Sequence, residues 1–292
     1  MTHHVFGTVA PTDHSHIVPF RTSGASSPLF CFPGSGGNAH VFQEMAAAVP
    51  EGHPVYAIDM ERLCNLKQDF TVEQLAAFYL DVVRTIQRNG PYYLCGYSFG
   101  GLVAYEIAMR LIDQGHSVGL VALLDAPNPA LMSNLSKTES MQFRKTYLID
   151  RLKAYGLQLA RGQLKAFAGR GLAFVVSRSG AIVWPLIKKG FQIMERLLPG
   201  ILRANDPGFV KDERSYVSRR YPKSLVCVRV QDRGAEYDRD PSMGWENCAM
   251  GGVEVHVVPG DHVDMMKMPN VRTVADLLAI YLDGGRAAGR AG

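Results

Sequence analysis

The chain has 292 residues, 47% of them apolar and 20% charged, which excludes a disordered polymer and leaves room for one large core or two modest ones. Its 31 Lys and Arg against 27 Asp and Glu give a net charge of +4, too small to mark a nucleic-acid binder. Five cysteines (Cys31, Cys64, Cys95, Cys227, Cys248) are an odd number with no CxxC pair, so neither a disulfide framework nor a cysteine zinc site is expected, and the default is a reducing compartment.

Residues 1–16 read as a flexible tail, with His3, His4, His14 and His16 but no apolar run or basic leader. Short apolar runs then alternate with amphipathic ones. Pro28–Phe32, Pro54–Ile58, Tyr92–Gly96 and Val118–Leu124 lack polar alternation, as strands covered on both faces do. Thr71–Arg88 opens with Thr71 and Gln74 at capping-box spacing and sets Leu75, Phe78, Tyr79, Val82, Val83 and Ile86 on one stripe. Phe99–Gln114 is a second helix, stopped by Gly115. Strands resume at Ser224–Gln231 and Val253–Val258, and a helix over Asn270–Leu282 closes the core. The fold class is α/β: a mostly parallel sheet with helices on both faces.

Residues 17–127 and 223–283 form that core, and residues 284–292 read as a C-terminal tail. Between the two halves, residues 128–222 are helical in pattern and too long for a loop, so they read as a helical lid insertion. The insertion holds 17 Lys and Arg but only 6 Asp and Glu, a local charge of +11 that leaves −7 for the rest. The most apolar stretch, Gly171–Ile187, is interrupted by Arg178, Ser179, Gly180 and Pro185 and is short of the ~20 residues of a membrane span. A cytoplasmic protein without membrane contact is expected.

The sharpest chemical signal is Gly96-Tyr97-Ser98-Phe99-Gly100-Gly101, a GxSxG motif between a strand and a helix. A serine on so tight a turn takes a strained backbone, and side chains two residues to either side would collide, hence glycine at 96 and 100. The turn lifts the Ser98 hydroxyl beside the first amides of the following helix, which favour negative charge. A serine nucleophile needs a base. His262, in Pro259-Gly260-Asp261-His262 after the last strand, falls at the sheet edge where Ser98 lies. His40, His53, His116 and His256 are poorer candidates.

Two aspartates, Asp125 and Asp232, end strands at that same edge, and each qualifies as the acid that orients the base. Asp232-Arg233-Gly234 also reads as a plain turn. Phe32-Pro33-Gly34-Ser35-Gly36-Gly37 follows the first buried strand, where a hydrolase loop supplies its second oxyanion amide. As a phosphate cradle it lacks the Lys-Ser/Thr ending of a P-loop and the GxGxxG of a dinucleotide site.

Taken together, FCFPGSGG, YLCGYSFGG, ALLDAPNP and PGDHVDMM resemble the thioesterase domains that end polyketide and non-ribosomal peptide assembly lines. The resemblance implies an α/β-hydrolase fold, a Ser98–Asp125–His262 triad and oxyanion amides at Phe99 and Ser35. It implies no bound cofactor or metal. The substrate would be an acyl chain on the phosphopantetheine arm of an acyl or peptidyl carrier protein, in cis or in trans, and the chain a free-standing enzyme or a terminal domain. Such carriers are generally acidic, and the +11 insertion suits them. Arg219 and Arg220, at the return to the sheet, are expected nearer Ser98 than Lys188 and Lys189. Competing readings are a carboxylesterase or lipase with the same triad, and an inert module that binds through its basic lid.

Overall fold

The structure is a computed structural model that describes residues 16–60, 70–133, 215–233 and 240–288. In chain order the elements are β1 (Ile17–Arg21), β2 (Leu29–Phe32), α1 (Gln43–Ala48), β3 (Val55–Ile58), α2 (Val72–Ile86) and β4 (Tyr92–Tyr97). They continue with α3 (Phe99–Asp113), β5 (Val118–Leu124), α4 (Pro129–Ser133), β6 (Leu225–Val230), β7 (Val253–Val258) and α5 (Asn270–Ala288). The strands make one sheet in the order β1-β3-β2-β4-β5-β6-β7. Among the described residues, only the β1–β3 pair is antiparallel.

Burial follows the absence of polar alternation. Every residue of β2, β4 and β6 is buried, and β5 exposes only Gly119. At the edge, β7 is covered less completely, with Glu254 and Val257 exposed and only Val258 fully buried. Two apolar layers cover the sheet: α2 and α3 pack on one face, α1 and α5 on the other. The expected α/β architecture is therefore present.

Local chemistry sets the helix ends. Thr71 Oγ1 accepts from the Gln74 amide at 3.2 Å and Gln74 Oε1 from the Thr71 amide at 2.9 Å, a complete capping box on α2. Past α3, Gly115 has φ +78°, and its amide donates to Ile112 O at 2.9 Å, closing the helix where its sequence predicts.

At the N-terminus the fold departs from the expected tail. His16 is fully buried, with its ring edge-on to Phe78, so the tail stops short of it. The strand β1 was not expected, because its Pro19 and Arg21 break an apolar run. It is an edge strand, where a missing amide is tolerated. Arg21 serves the fold directly. Its guanidinium donates to Val49 O, Pro50 O and His53 O at 3.0, 2.8 and 2.9 Å, tying down the chain that leaves α1.

Most of the expected lid, residues 134–214, lies outside the described residues, as do residues 1–15 of the tail and 289–292. Its two ends meet. Asn128 Oδ1 accepts from the Ala130 amide at 2.9 Å, and its Nδ2 donates to Ser218 Oγ at 2.9 Å. Among the described residues no helix is long and apolar enough to cross a membrane.

The strand order reverses at β2: β3 lies on one side of it and β4 to β7 on the other. Parallel sheets open a crevice at the carboxyl ends of the strands flanking such a reversal. The segments after β2, β4, β5, β6 and β7 all emerge at that edge.

Candidate active site

Ser98 joins β4 to α3 with φ +54° and ψ −127°, a left-handed backbone that costs a non-glycine residue about 1–3 kcal/mol. The turn is anchored by the Ser98 amide, which donates to Leu124 O at 2.8 Å. A Cβ on Gly96 would stand 2.2 Å from Gly100 O, and one on Gly100 would stand 2.0 Å from Phe32 O. On Gly101 it would meet Ala126 Cβ at 2.3 Å. The glycines thus admit three close approaches: within the turn, onto β2 and onto the chain after β5. Because the atoms opposing Gly100 are backbone, Gly100→Ala should cost roughly 3 kcal/mol or more, the upper end of over-packing. A thermal melt should show Tm lowered by about 6–12 °C or no folded protein at all.

The loop after β2 runs alongside the serine. A Cβ on Gly34 would lie 3.2 Å from Ser98 Cβ. Gly37, at φ +73°, donates its amide to Gly34 O at 2.8 Å, so the loop curls back upon itself with half-buried Ser35 at its bend. Phe99 opens α3 at the helix end that favours negative charge.

Asp125 follows β5 and His262 follows β7. Asp125 is fully buried at φ +47°, its amide donating to Val228 O at 2.7 Å. Its Oδ2 lies 2.5 Å from His262 Nδ1. A lone pair facing a carboxylate at that distance would be repelled, so Nδ1 carries the proton and donates, leaving Nε2 as the free base. Tyr97 supports the ring. Its own ring stacks on the imidazole with centroids 4.8 Å apart, and its hydroxyl donates to His262 O at 2.6 Å. Asp232 is exposed, with its amide donating to Gly260 O at 3.1 Å. Among the described residues no hydrogen bond joins the Asp232 carboxylate to His262, nor Ser98 Oγ to His262.

By sequence alone Arg233 reads as part of a turn. In the fold its side chain is nearly buried against Asp125. Its Nε donates to Asp125 Oδ2 at 2.8 Å, its Nη2 donates to the same oxygen, and Nη2 also reaches Asp125 O at 3.2 Å. Burial alone would push the Asp125 carboxyl up. The Arg233 charge and the His262 hydrogen bond overcome it and hold the group well below the ordinary carboxylate range.

Arg219 is not near Ser98. It pairs with Asp113 at 2.8 Å, at the far end of the 15-residue helix that starts after Ser98, about 22 Å of helix rise away. Tyr105 in mid-helix donates to Arg219 O, and Tyr216 donates to buried Glu106 at 3.0 Å, so the return segment lies along α3. Proximity in sequence to the strand that follows misled the expectation, because β6 is entered at its opposite end. Lys188 and Lys189 lie outside the described residues.

Residues 27–160 match the family model of the thioesterase domain. Over those residues the chain is similar to thioesterase domains. It is 28% identical over 271 residues, 92% of its length, to a non-reducing polyketide synthase of Cladonia metacorallifera, crz7. To malpibaldin synthetase of Mortierella alpina it is 35% identical over 260 residues, 87% of its length. It spans 13% and 4% of those two relatives' own lengths. Among solved structures, it resembles the NocB thioesterase domain bound covalently to a fluorophosphonate nocardicin G analogue, at TM-score 0.60 and 19% identity over 91% of this chain and 99% of that one. A four-domain non-ribosomal peptide synthetase, holo-AB3403, matches at TM-score 0.65 and 20% identity, over 90% of this chain and 20% of that one. The chain thus has the fold of those synthetase domains, and the family that its residues 27–160 match is one of hydrolases. Among its described residues no group of three or more His, Cys, Asp or Glu could hold a metal ion.

Proposed function

We propose that this domain releases an acyl chain from a phosphopantetheine thioester by way of an acyl-enzyme on Ser98. The observation that carries the reading is the 2.5 Å contact between His262 Nδ1 and Asp125 Oδ2, made by two distant strand ends at the edge where Ser98 stands on its strained turn. In this reading Ser98 Oγ attacks the thioester carbonyl while His262 Nε2 takes its proton. The carbonyl oxygen becomes an oxyanion held by the amides of Phe99 and Ser35. Collapse expels the pantetheine thiolate, which takes the proton back from His262. Asp125 keeps Nδ1 protonated and stabilises the imidazolium. Water, or a hydroxyl or amine of the chain itself, then resolves the ester through the same base.

The relatives are polyketide and peptide synthetases, which supports a carrier-bound substrate, and the structural neighbour NocB carries a fluorophosphonate covalently. A fluorophosphonate should therefore label this chain at Ser98, and peptide mass mapping reads the site. An unlabelled serine would remove every acyl-enzyme reading. Comparing an acyl-pantetheine thioester with the p-nitrophenyl ester of the same acid separates a thioesterase from an esterase, and the thioester should be preferred.

The +11 insertion supports docking of an acidic carrier. Steering of this kind acts on the association rate and is screened by salt, with a Debye length of about 8 Å at 0.15 M. Raising salt from 50 to 500 mM should lower kcat/KM for a carrier-bound acyl group by about 10-fold or more. The same acyl group on a small uncharged thioester should change less than twofold. Equal salt dependence would assign those charges to solubility alone.

A further inference from the structure

We infer that Arg233 is a positioning residue: its guanidinium clamps Asp125 and thereby sets the orientation of His262. The inference rests on the triad reading and goes beyond it. Among the described residues, the neutral donors on the Asp125 carboxylate are His262 Nδ1 and the Val230 amide, which reaches Oδ1 only at 3.5 Å. Two nitrogens of Arg233 converge instead on Oδ2, the same oxygen that accepts from His262. The planar guanidinium pins Oδ2 with two nitrogens and holds the Asp125 carbonyl oxygen as well, fixing the position of the oxygen that faces His262, which a single flexible ammonium could not do.

The clamp has an electrostatic consequence. Arg233 Nη2 stands 3.1 Å from His262 Nδ1, which already donates to Asp125, so this contact is a close approach of two donors. A fixed positive charge there opposes the imidazolium while it keeps the carboxylate ionised. Among the described residues, the other groups around the Asp125–Arg233 pair do not substitute for it. Tyr97 is neutral and turned to His262 O. The Asp261 carboxylate accepts from the Val263 and Asp264 amides, and that of Asp240 from the Ser242 and Gly244 amides. Burial, with the Asp125 charge, pushes the Cys227 thiol well up, so it stays neutral. Asp232 is exposed.

The test is the pH dependence of fluorophosphonate labelling at Ser98 and of kcat/KM in Arg233→Gln and Arg233→Lys. Circular dichroism establishes that each variant is folded at the assay temperature. Losing a cation this close should move the acid limb of both profiles upward by about one pH unit in Arg233→Gln. In Arg233→Lys the charge remains but the fork is lost. Its acid limb should stay near the parent's while kcat falls by about 10-fold, and Arg233→Gln should lose more. Profiles and rates unchanged in both variants would overturn the inference. So would a uniform loss in both with no movement of either limb, which is what a purely structural arginine gives. If the parent chain itself is not labelled at Ser98, the triad reading has failed instead. Should Arg233→Gln not fold, Arg233→Lys alone decides: an unaltered kcat refutes the clamp.

Discussion

Ser98→Ala is expected to abolish thioester turnover, lowering kcat by about 10⁶-fold while leaving the fold intact. The side chain is half-exposed and makes no hydrogen bond among the described residues, so its oxygen adds nothing to packing. Alanine keeps a Cβ, and with it the same strain at φ +54°, so Tm should stay within a degree or two of the parent. A residual acceleration of roughly 10³–10⁴ over water should survive through the oxyanion amides and substrate binding. Steady-state release of free pantetheine thiol gives the measurement, and near-normal turnover would remove Ser98 from the reaction.

The second large effect separates the two aspartates. Asp125→Asn should lower kcat by up to about 10⁴-fold, because an amide can donate to Nδ1 and so favours the tautomer that blocks Nε2. Asp232→Asn should change it less than twofold, since that side chain is exposed and the backbone amide alone ties residue 232 to the His262 loop. Stability should follow the same split. Asp125→Asn removes the carboxylate from its nearly buried ion pair with Arg233, and breaking a buried pair costs about 3–5 kcal/mol. That cost depends on pH with a definite sign. The Asp125 carboxyl is held below its ordinary value, so its contribution is complete above pH ~4 and declines as pH falls toward the folded-state value. Denaturant melts of parent and Asp125→Asn should therefore differ most near neutrality and converge in acid. If the Asp232 variant were the inactive one, the acid would be misassigned while the fold stood.

Much of this molecule follows from local pattern. An unbroken apolar run reads as a strand covered on both faces, and Val118–Leu124 begins and ends where its sequence does, as does the less apolar edge strand Val253–Val258. The Thr71 and Gln74 pair caps α2 because each partner needs only the other. The glycines around Ser98 were legible because a single tight turn makes the demand, and the 2.0–2.3 Å approaches at Gly96, Gly100 and Gly101 are its measure. Other features belong to the tertiary structure alone. The sequence left Asp125 and Asp232 open, since both end strands at one edge. What separates them is that Asp125 turns inward at φ +47° beneath His262 while Asp232 faces solvent. β1 was hidden because an edge strand tolerates Pro19 and a charged Arg21. Arg219 was misplaced because spacing along a chain does not say at which end a strand is entered. Tyr97 and Arg233 gave no signal, since stacking and charge pairing need neighbours 165 and 108 residues away. Backbone geometry is dictated by adjacent residues, so the sequence determined the strands, the caps and the tight turn at Ser98. The charge environment of a buried carboxylate is assembled by the sheet from three separate strand ends, and only the folded structure decided it.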